Sequence, residues 1–360
     1  MRMLELLGRQ IMQAFDRATP KWPPQALSLA LQGGGSFGAF TSGVLDRLLT
    51  EPDIRFDTLS GASAGAINAV LLAAGLAEGG REAAREKLET FWRRLSHAAP
   101  FLPFGSTGAM IPGAAGTLSF WTRLVSPYQY NPFDLNPLRA ILNEEIDFER
   151  LRRKKPVGLL ISATRVSDGR ARIFRNEEID ADAVLASACL PLLHHAIMIG
   201  EETYWDGGYS SNPPLHELVT TSATPEILIV QITPAQGIAM PTSSQEIMRR
   251  LDQITFNASL LAETGRLARY ADIYRGIPGY FARDGRKWRQ LTLHRIIAEE
   301  QVAHLAEANA SNLDWNFLSD LREHGRDAAE NWLRSKAEKA SAAISRNEAV
   351  NESICPGNAL

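Results

Sequence analysis

The chain has 360 residues, 45% hydrophobic and 22% charged, the balance of an ordinary globular protein, which excludes disordered and fibrous classes. A formal net charge of −3 supplies no overall field to gather DNA, RNA or an anionic membrane, so no nucleic-acid partner is expected. The two cysteines, Cys189 and Cys355, lie far apart and support neither a disulfide framework nor a cysteine-based metal site, which fits a reducing, cytoplasmic setting.

The opening stretch MRMLELLGRQIMQAF breaks its apolar residues with Glu5, Arg9 and Gln10, so it reads as neither a signal-peptide core nor a membrane span. No 18-residue apolar run follows. Leu4, Leu7, Ile11 and Phe15 recur at helical spacing and predict an amphipathic helix within 1–24. It either covers the domain or lies on a membrane surface. Beyond Pro24, ALSLAL (26–31) reads as a buried strand that runs into three glycines and then a helix through Leu49. A second apolar run, 56–60, meets Gly61 and passes into an Ala- and Leu-rich helix over 64–77. Two strand-turn-helix units in succession imply a parallel sheet covered by helices.

Residues 81–95 carry the pattern of a charged amphipathic helix. The stretch 100–137 then holds six prolines, four glycines and the aromatics Phe101, Phe104, Phe120, Trp121, Tyr128, Tyr130 and Phe133. An irregular apolar insertion of that length, at about 98–137, is either an awkward connection with a small core of its own or a lid at an acyl-chain entrance. Further strands are predicted at 157–163, 171–174, 203–205, 226–232 and 291–296, and a helix at 180–187. Residues 196–199 read as core or pocket wall. From 243 onward the pattern is mostly helical, notably over 246–270 and 317–340. The expected architecture is a three-layer α/β/α sandwich with a mostly parallel central sheet. It comprises a catalytic domain over 25–240, a helical layer over 241–345 and a flexible tail over 346–360.

Gly61-Ala62-Ser63-Ala64-Gly65 sits between a predicted strand and a predicted helix, the context of a nucleophile elbow. Flanking glycines avoid clashes in so sharp a turn, and the helix N-terminus favours negative charge developing at Ser63. Upstream, Gly33-Gly34-Gly35-Ser36-Phe37-Gly38 offers bare backbone N–H groups that can converge on an anion. Two uses compete. One is an oxyanion hole; the other reads Gly33, Gly35 and Gly38 as a dinucleotide-binding G-x-G-x-x-G with Asp53 as its ribose partner. Asp53 precedes the second strand instead of ending it, which favours the oxyanion hole.

Asp206-Gly207-Gly208 follows a short strand, and the glycines leave the Asp206 side chain unshielded. A carboxylate serves as base for a serine when a dry setting raises its proton affinity, and Tyr204, Trp205 and Tyr209 are placed to supply one. A histidine-containing triad would use His216 or His294, which follow Ser63 and Asp206 in the chain order of α/β-hydrolases. His194 and His195 lack the companions of a metal site. The basic runs 152–155 and 286–289 read as solvated faces.

The glycine turn, the elbow 28 residues after Gly35 and the distant Asp-Gly-Gly resemble the patatin-like phospholipases, whose motifs occur in that order. The resemblance spans roughly 26–235. Ala186-Ser187-Ala188-Cys189-Leu190-Pro191 also looks like that family's small-residue loop, whereas 192–195 departs from its usual continuation and Phe37 stands where many members carry Arg or Lys. The resemblance implies a Ser-Asp dyad of Ser63 and Asp206, an oxyanion hole at Gly33, Gly34, Gly35 and Gly38, and no metal or organic cofactor. It implies a lipid or acyl-ester substrate, with phospholipase A or lysophospholipase chemistry and peripheral membrane contact. An acyltransferase or polyester depolymerase would use the same acyl-enzyme, and a non-catalytic lipid-binding protein would keep only the pocket.

Overall fold

A computed structural model describes residues 22–99, 126–236, 240–276 and 285–354. The helix expected within 1–24 falls almost wholly outside these residues, as do most of the apolar insertion and the end of the tail.

The sheet begins with β1 (Ala26–Leu31), β2 (Arg55–Gly61) and β3 (Gly158–Arg165), linked by α1 (Gly38–Leu49) and α2 (Ala64–Glu78) and flanked by α3 (Arg81–Ala98). Short helices α4 (Pro127–Tyr130), α5 (Pro137–Glu145) and α6 (Phe148–Lys154) lead into β3. After it come β4 (Ala171–Arg175), α7 (Ala181–Ser187), the hairpin of β5 (Ile197–Ile199) and β6 (Glu202–Asp206), α8 (Leu215–Thr221) and β7 (Glu226–Gln231). The chain closes with α9 (Ser244–Gly276), α10 (Arg286–Gln290), β8 (Thr292–Ile297) and α11 (Trp315–Ile354). α11 therefore continues through most of the stretch expected as a flexible tail.

Strand order is β5-β6-β3-β2-β1-β7-β8, with β4 also on β3; β1, β2, β3, β7 and β8 form the parallel part. The sheet thus takes its edge strand, β8, from the expected helical layer. Alternation along the strands divides the core. Leu27, Leu29, Leu31, Leu228 and Val230 face one layer of helices, while Ala30, Ile227 and Ile229 face α8 and α9 through Leu215, Leu218, Leu260 and Leu267. Within the first layer, buried Asp46 of α1 pairs with Arg85 of α3 and with Arg322 and Arg326 of α11, tying three helices together.

One feature of the topology decides where the site lies. β4 shares Leu160 and Ile161 of β3 with β2, and shares Ala163 and Thr164 with β6. A strand has two edges, so β2 and β6 occupy the same edge, opposite β4. β2 ends where Gly61 pairs with Ile161; β6, arriving from the other direction, ends where Asp206 pairs with Ala163. The C-termini of the two strands meet head to head.

Candidate active site

Ser63 lies two residues beyond the end of β2, at φ 52° and ψ −127°. A non-glycine residue held there stores about 1–3 kcal/mol, and such strain persists only where surroundings over-determine it. Here the Ser63 N–H donates to both the Oγ and the carbonyl of Ser187, each at 3.0 Å. The N–H groups of Gly65 and Ala66 close the turn on the Ala62 carbonyl. A Cβ at Gly65 would fall 2.1 Å from the Leu31 carbonyl oxygen, so only glycine lets the elbow sit against β1; Gly61 flanks the turn on its other side.

The glycine-rich turn after β1 packs directly on this elbow: a Cβ at Gly33 would lie 2.7 Å from the Ser63 Cβ. Its four glycines do not act alike. The Gly33 N–H donates to Asn212 Oδ1 at 2.6 Å, and the Gly38 N–H donates to the carbonyls of Gly35 and Ser36. The Ser36 N–H is taken by the Ala310 carbonyl. Among the described residues, the N–H groups of Gly34 and Gly35 donate to no protein atom. Of the four glycines, Gly34 and Gly35 are thus the ones whose N–H groups are free. Gly38 instead lets α1 approach α2, since a side chain there would strike Ala64 and Trp92. Asn68 secures that approach by donating to the carbonyls of Gly38 and Ala64.

Asp206 is fully buried at the end of β6. Its N–H donates to the Cys189 carbonyl at 2.8 Å and its carbonyl accepts from Thr164 Oγ1 at 2.7 Å. Oδ1 accepts the Gly208 N–H at 2.7 Å, so the Asp-Gly-Gly turn aims the carboxylate as well as exposing it. Gly207 fits against the Ser162 carbonyl. Burial drives the Asp206 pKa up to about 7, while the neighbouring Ser63 hydroxyl and the Gly208 N–H pull it down. Oδ2 has no hydrogen-bond partner of good geometry, so the Ser63 contact is close without being a formed hydrogen bond. A buried orphan carboxylate oxygen beside a strained serine is poised to accept a proton.

The other sequence candidates lie elsewhere. The exposed His216 lines a separate cavity of about 410 Å³ with Glu263, Arg266 and Tyr270. His294 is on edge strand β8, where Nε2 meets Glu226 at 2.6 Å and the ring packs on Trp22 and Trp332. Asp53 precedes β2, at the opposite end of that strand from Ser63. His195 stacks on Tyr128 at 4.1 Å. Arg152 donates to the Ile179 carbonyl, and Lys155 and Lys287 are likewise held by Glu177 and by the Ser222 carbonyl. Of residues 196–199, expected as core or pocket wall, 197–199 form β5, with Ile197 in the core and Met198 exposed. Sequence reasoning missed Asn212, Thr233 and the bonding role of Ser187. Their work is done through contacts more than a hundred residues away along the chain, and an Asn-Pro-Pro turn gives no sign of it.

A family model described as patatin-like phospholipase matches residues 29–219. A comparison with curated proteins gives no match. Among solved structures the chain is similar to VipD from Legionella pneumophila, at 16% identity and a TM-score of 0.42, over 86% of this chain and 67% of that one. It is also similar to the type III effector protein ExoU, at 17% identity and a TM-score of 0.30, over 87% of this chain and 54% of that one. The chain thus spans about half the length of the second.

Proposed function

Because the chain belongs to the patatin-like phospholipase family, we propose that it is a lipid acyl hydrolase in which Ser63 is the nucleophile and Asp206 its base. The observation that carries this reading is the buried Asp206 carboxylate, raised to about 7 and with Oδ2 unpartnered, beside a serine held in a strained elbow. In this scheme Asp206 takes the Ser63 hydroxyl proton as Oγ attacks the acyl carbonyl. The N–H groups of Gly34 and Gly35 stabilise the oxyanion. Collapse of the intermediate expels the alcohol, which leaves with the proton from Asp206. Asp206 then takes a proton from the water that attacks the acyl-enzyme and passes it to Ser63 Oγ as the acyl C–O bond breaks, which frees the fatty acid and restores the serine.

The substrate class within this reading is a phospholipid or lysophospholipid whose ester reaches the strand ends from a lipid surface. The exposed apolar residues Tyr128, Phe133, Leu135 and Leu192 support peripheral membrane contact, because α4 is bound through Tyr130 to the carbonyls of Leu192 and Leu193, in the loop that precedes the Asp206 hairpin. No helix among the described residues is long and apolar enough to cross a membrane.

The test compares wild type, Ser63→Ala and Asp206→Asn on a fluorogenic acyl ester and on phospholipid and lysophospholipid vesicles, with folding verified by circular dichroism. Turnover by wild type and loss in both variants is the expected result. A folded wild type that hydrolyses none of these and takes no fluorophosphonate label at Ser63 is instead a lipid-binding protein.

A further inference from the structure

A trans peptide unit points its C=O and N–H in opposite directions, so whatever holds the oxygen also aims the hydrogen. In the Gly33–Gly34 peptide the oxygen is held twice. It accepts from Thr233 Oγ1 at 3.0 Å and from Asn212 Nδ2 at 3.3 Å, both on buried side chains. The N–H at the other side of the same peptide, that of Gly34, is one of the two free donors in the turn whose Gly33 packs on Ser63. This peptide lies between two glycines, whose wide conformational freedom makes a flip of its plane easy. A flipped peptide would present an oxygen where the oxyanion forms.

We propose that Thr233 and Asn212 are positioning residues that lock the Gly33–Gly34 peptide with its N–H facing the reacting carbonyl. The inference rests on the reading of Ser63 as nucleophile. Hydrogen bonds in series polarise one another, so the two donors to the Gly33 oxygen also strengthen the Gly34 N–H as a donor. Both positioning side chains are themselves fixed. The Thr233 N–H donates to Gln32 Oε1 at 2.9 Å, and Gln32 Nε2 donates to Asn257 Oδ1 at 3.0 Å. Asn257 Nδ2 returns to the carbonyls of Thr233 and Pro234. Asn212 grips Gly33 from both sides, accepting its N–H through Oδ1, and its Nδ2 also donates to the Phe256 carbonyl at 2.9 Å. Phe256 and Asn257 belong to α9, so that helix braces the turn. An aspartate at 212 would keep the acceptor and set a second oxygen against two carbonyls.

The experiment measures kcat and KM on a soluble aryl ester for wild type, Thr233→Val and Thr233→Ser. It also measures the inhibition constant of a trifluoromethyl ketone, whose hemiketal oxygen occupies the same hole. Removing an oxyanion donor outright costs about 100- to 1000-fold in kcat, so a loosened donor should cost about tenfold. Thr233→Val is expected to lower kcat by that factor, hold KM within about twofold and weaken the ketone in proportion; Thr233→Ser is expected to restore both. A Thr233→Val enzyme with unchanged kcat overturns the inference, as does a fall in kcat with full ketone affinity. Should Thr233→Val fail to fold, Asn212→Asp carries the same comparison. If wild type hydrolyses no ester, the hydrolase reading fails by itself. The locking role then stands or falls on crystal structures of wild type and Thr233→Val, and an unmoved Gly33–Gly34 peptide in the variant overturns it.

Discussion

Gly61 and Asp206 face each other end to end along one edge of β3, through their pairings with Ile161 and Ala163. Two chain segments far apart in sequence are thereby brought to one point with backbone ladders on either side. The serine is two residues past one strand end, and the carboxylate is the last residue of the other.

The ionisation of Asp206 should govern the pH dependence of hydrolysis. A base must be deprotonated to act, and burial holds this carboxyl at about 7. kcat/KM for a neutral ester is expected to climb as pH rises through that value and to level off above it. A profile already flat from pH 5 would remove Asp206 as the base.

Stability should move in the opposite sense. The folded pKa, about 7, lies above the ordinary 3.8, so between those values the folded chain holds a proton that the unfolded chain releases. The Asp206 contribution to stability is therefore lost as pH rises through this window. Asp206→Asn should be more stable than wild type at pH 8, by up to roughly 4 kcal/mol, and the gap should close near pH 4. Urea unfolding at the two pH values tests this; a variant weaker than wild type at pH 8 contradicts it.

Ser187→Ala removes the side-chain acceptor for the Ser63 N–H and leaves only the carbonyl. A loss of about 1 kcal/mol in stability is expected, with a several-fold fall in kcat as the elbow relaxes. Thermal unfolding and ester kinetics on the same preparation would detect both.

Asp46→Ala removes the buried carboxylate that three arginines share; Arg85 and Arg322 keep Glu82 and Glu89, so the cost in chemical denaturation should be about 1–2 kcal/mol. The cluster touches no residue of the proposed site. The fraction that remains folded should turn over ester at the wild-type rate.

His216→Ala should leave kcat within about twofold of wild type, because its exposed ring lies in a different cavity. A loss of a hundredfold would reinstate a triad.

Much of this architecture is legible in the sequence, because parallel strands buried on both faces read as short apolar runs and the turns after them need glycine. The strand that the apolar run 26–31 predicts is β1, Ala26–Leu31. The elbow and the Asp-Gly-Gly turn announce themselves by local sterics. β5 does not, because three residues carry no period and Met198 points outward. What frees two of the four glycine N–H groups and occupies the others is equally silent. Whether a glycine N–H is free depends on Asn212, 179 residues from Gly33, and nothing nearby in the chain encodes that bond. Ser187 stands in a small-residue loop of the sequence, yet its hold on the Ser63 N–H emerges only when α7 is seated against the elbow.

The head-to-head strands make the turn of the β5–β6 hairpin a gauge for chemistry. Gly200, at φ 63°, begins the tight turn that lets Ile199 pair with Glu202. Because strand side chains alternate between faces, a one-residue frameshift of β6 against β3 would carry the Asp206 carboxylate to the far side of the sheet, with the backbone ladder intact. Such a protein would keep its fold and most of its stability yet hold the proposed base away from Ser63. One residue added or lost in β6 is thus enough to part the Asp206 carboxylate from Ser63.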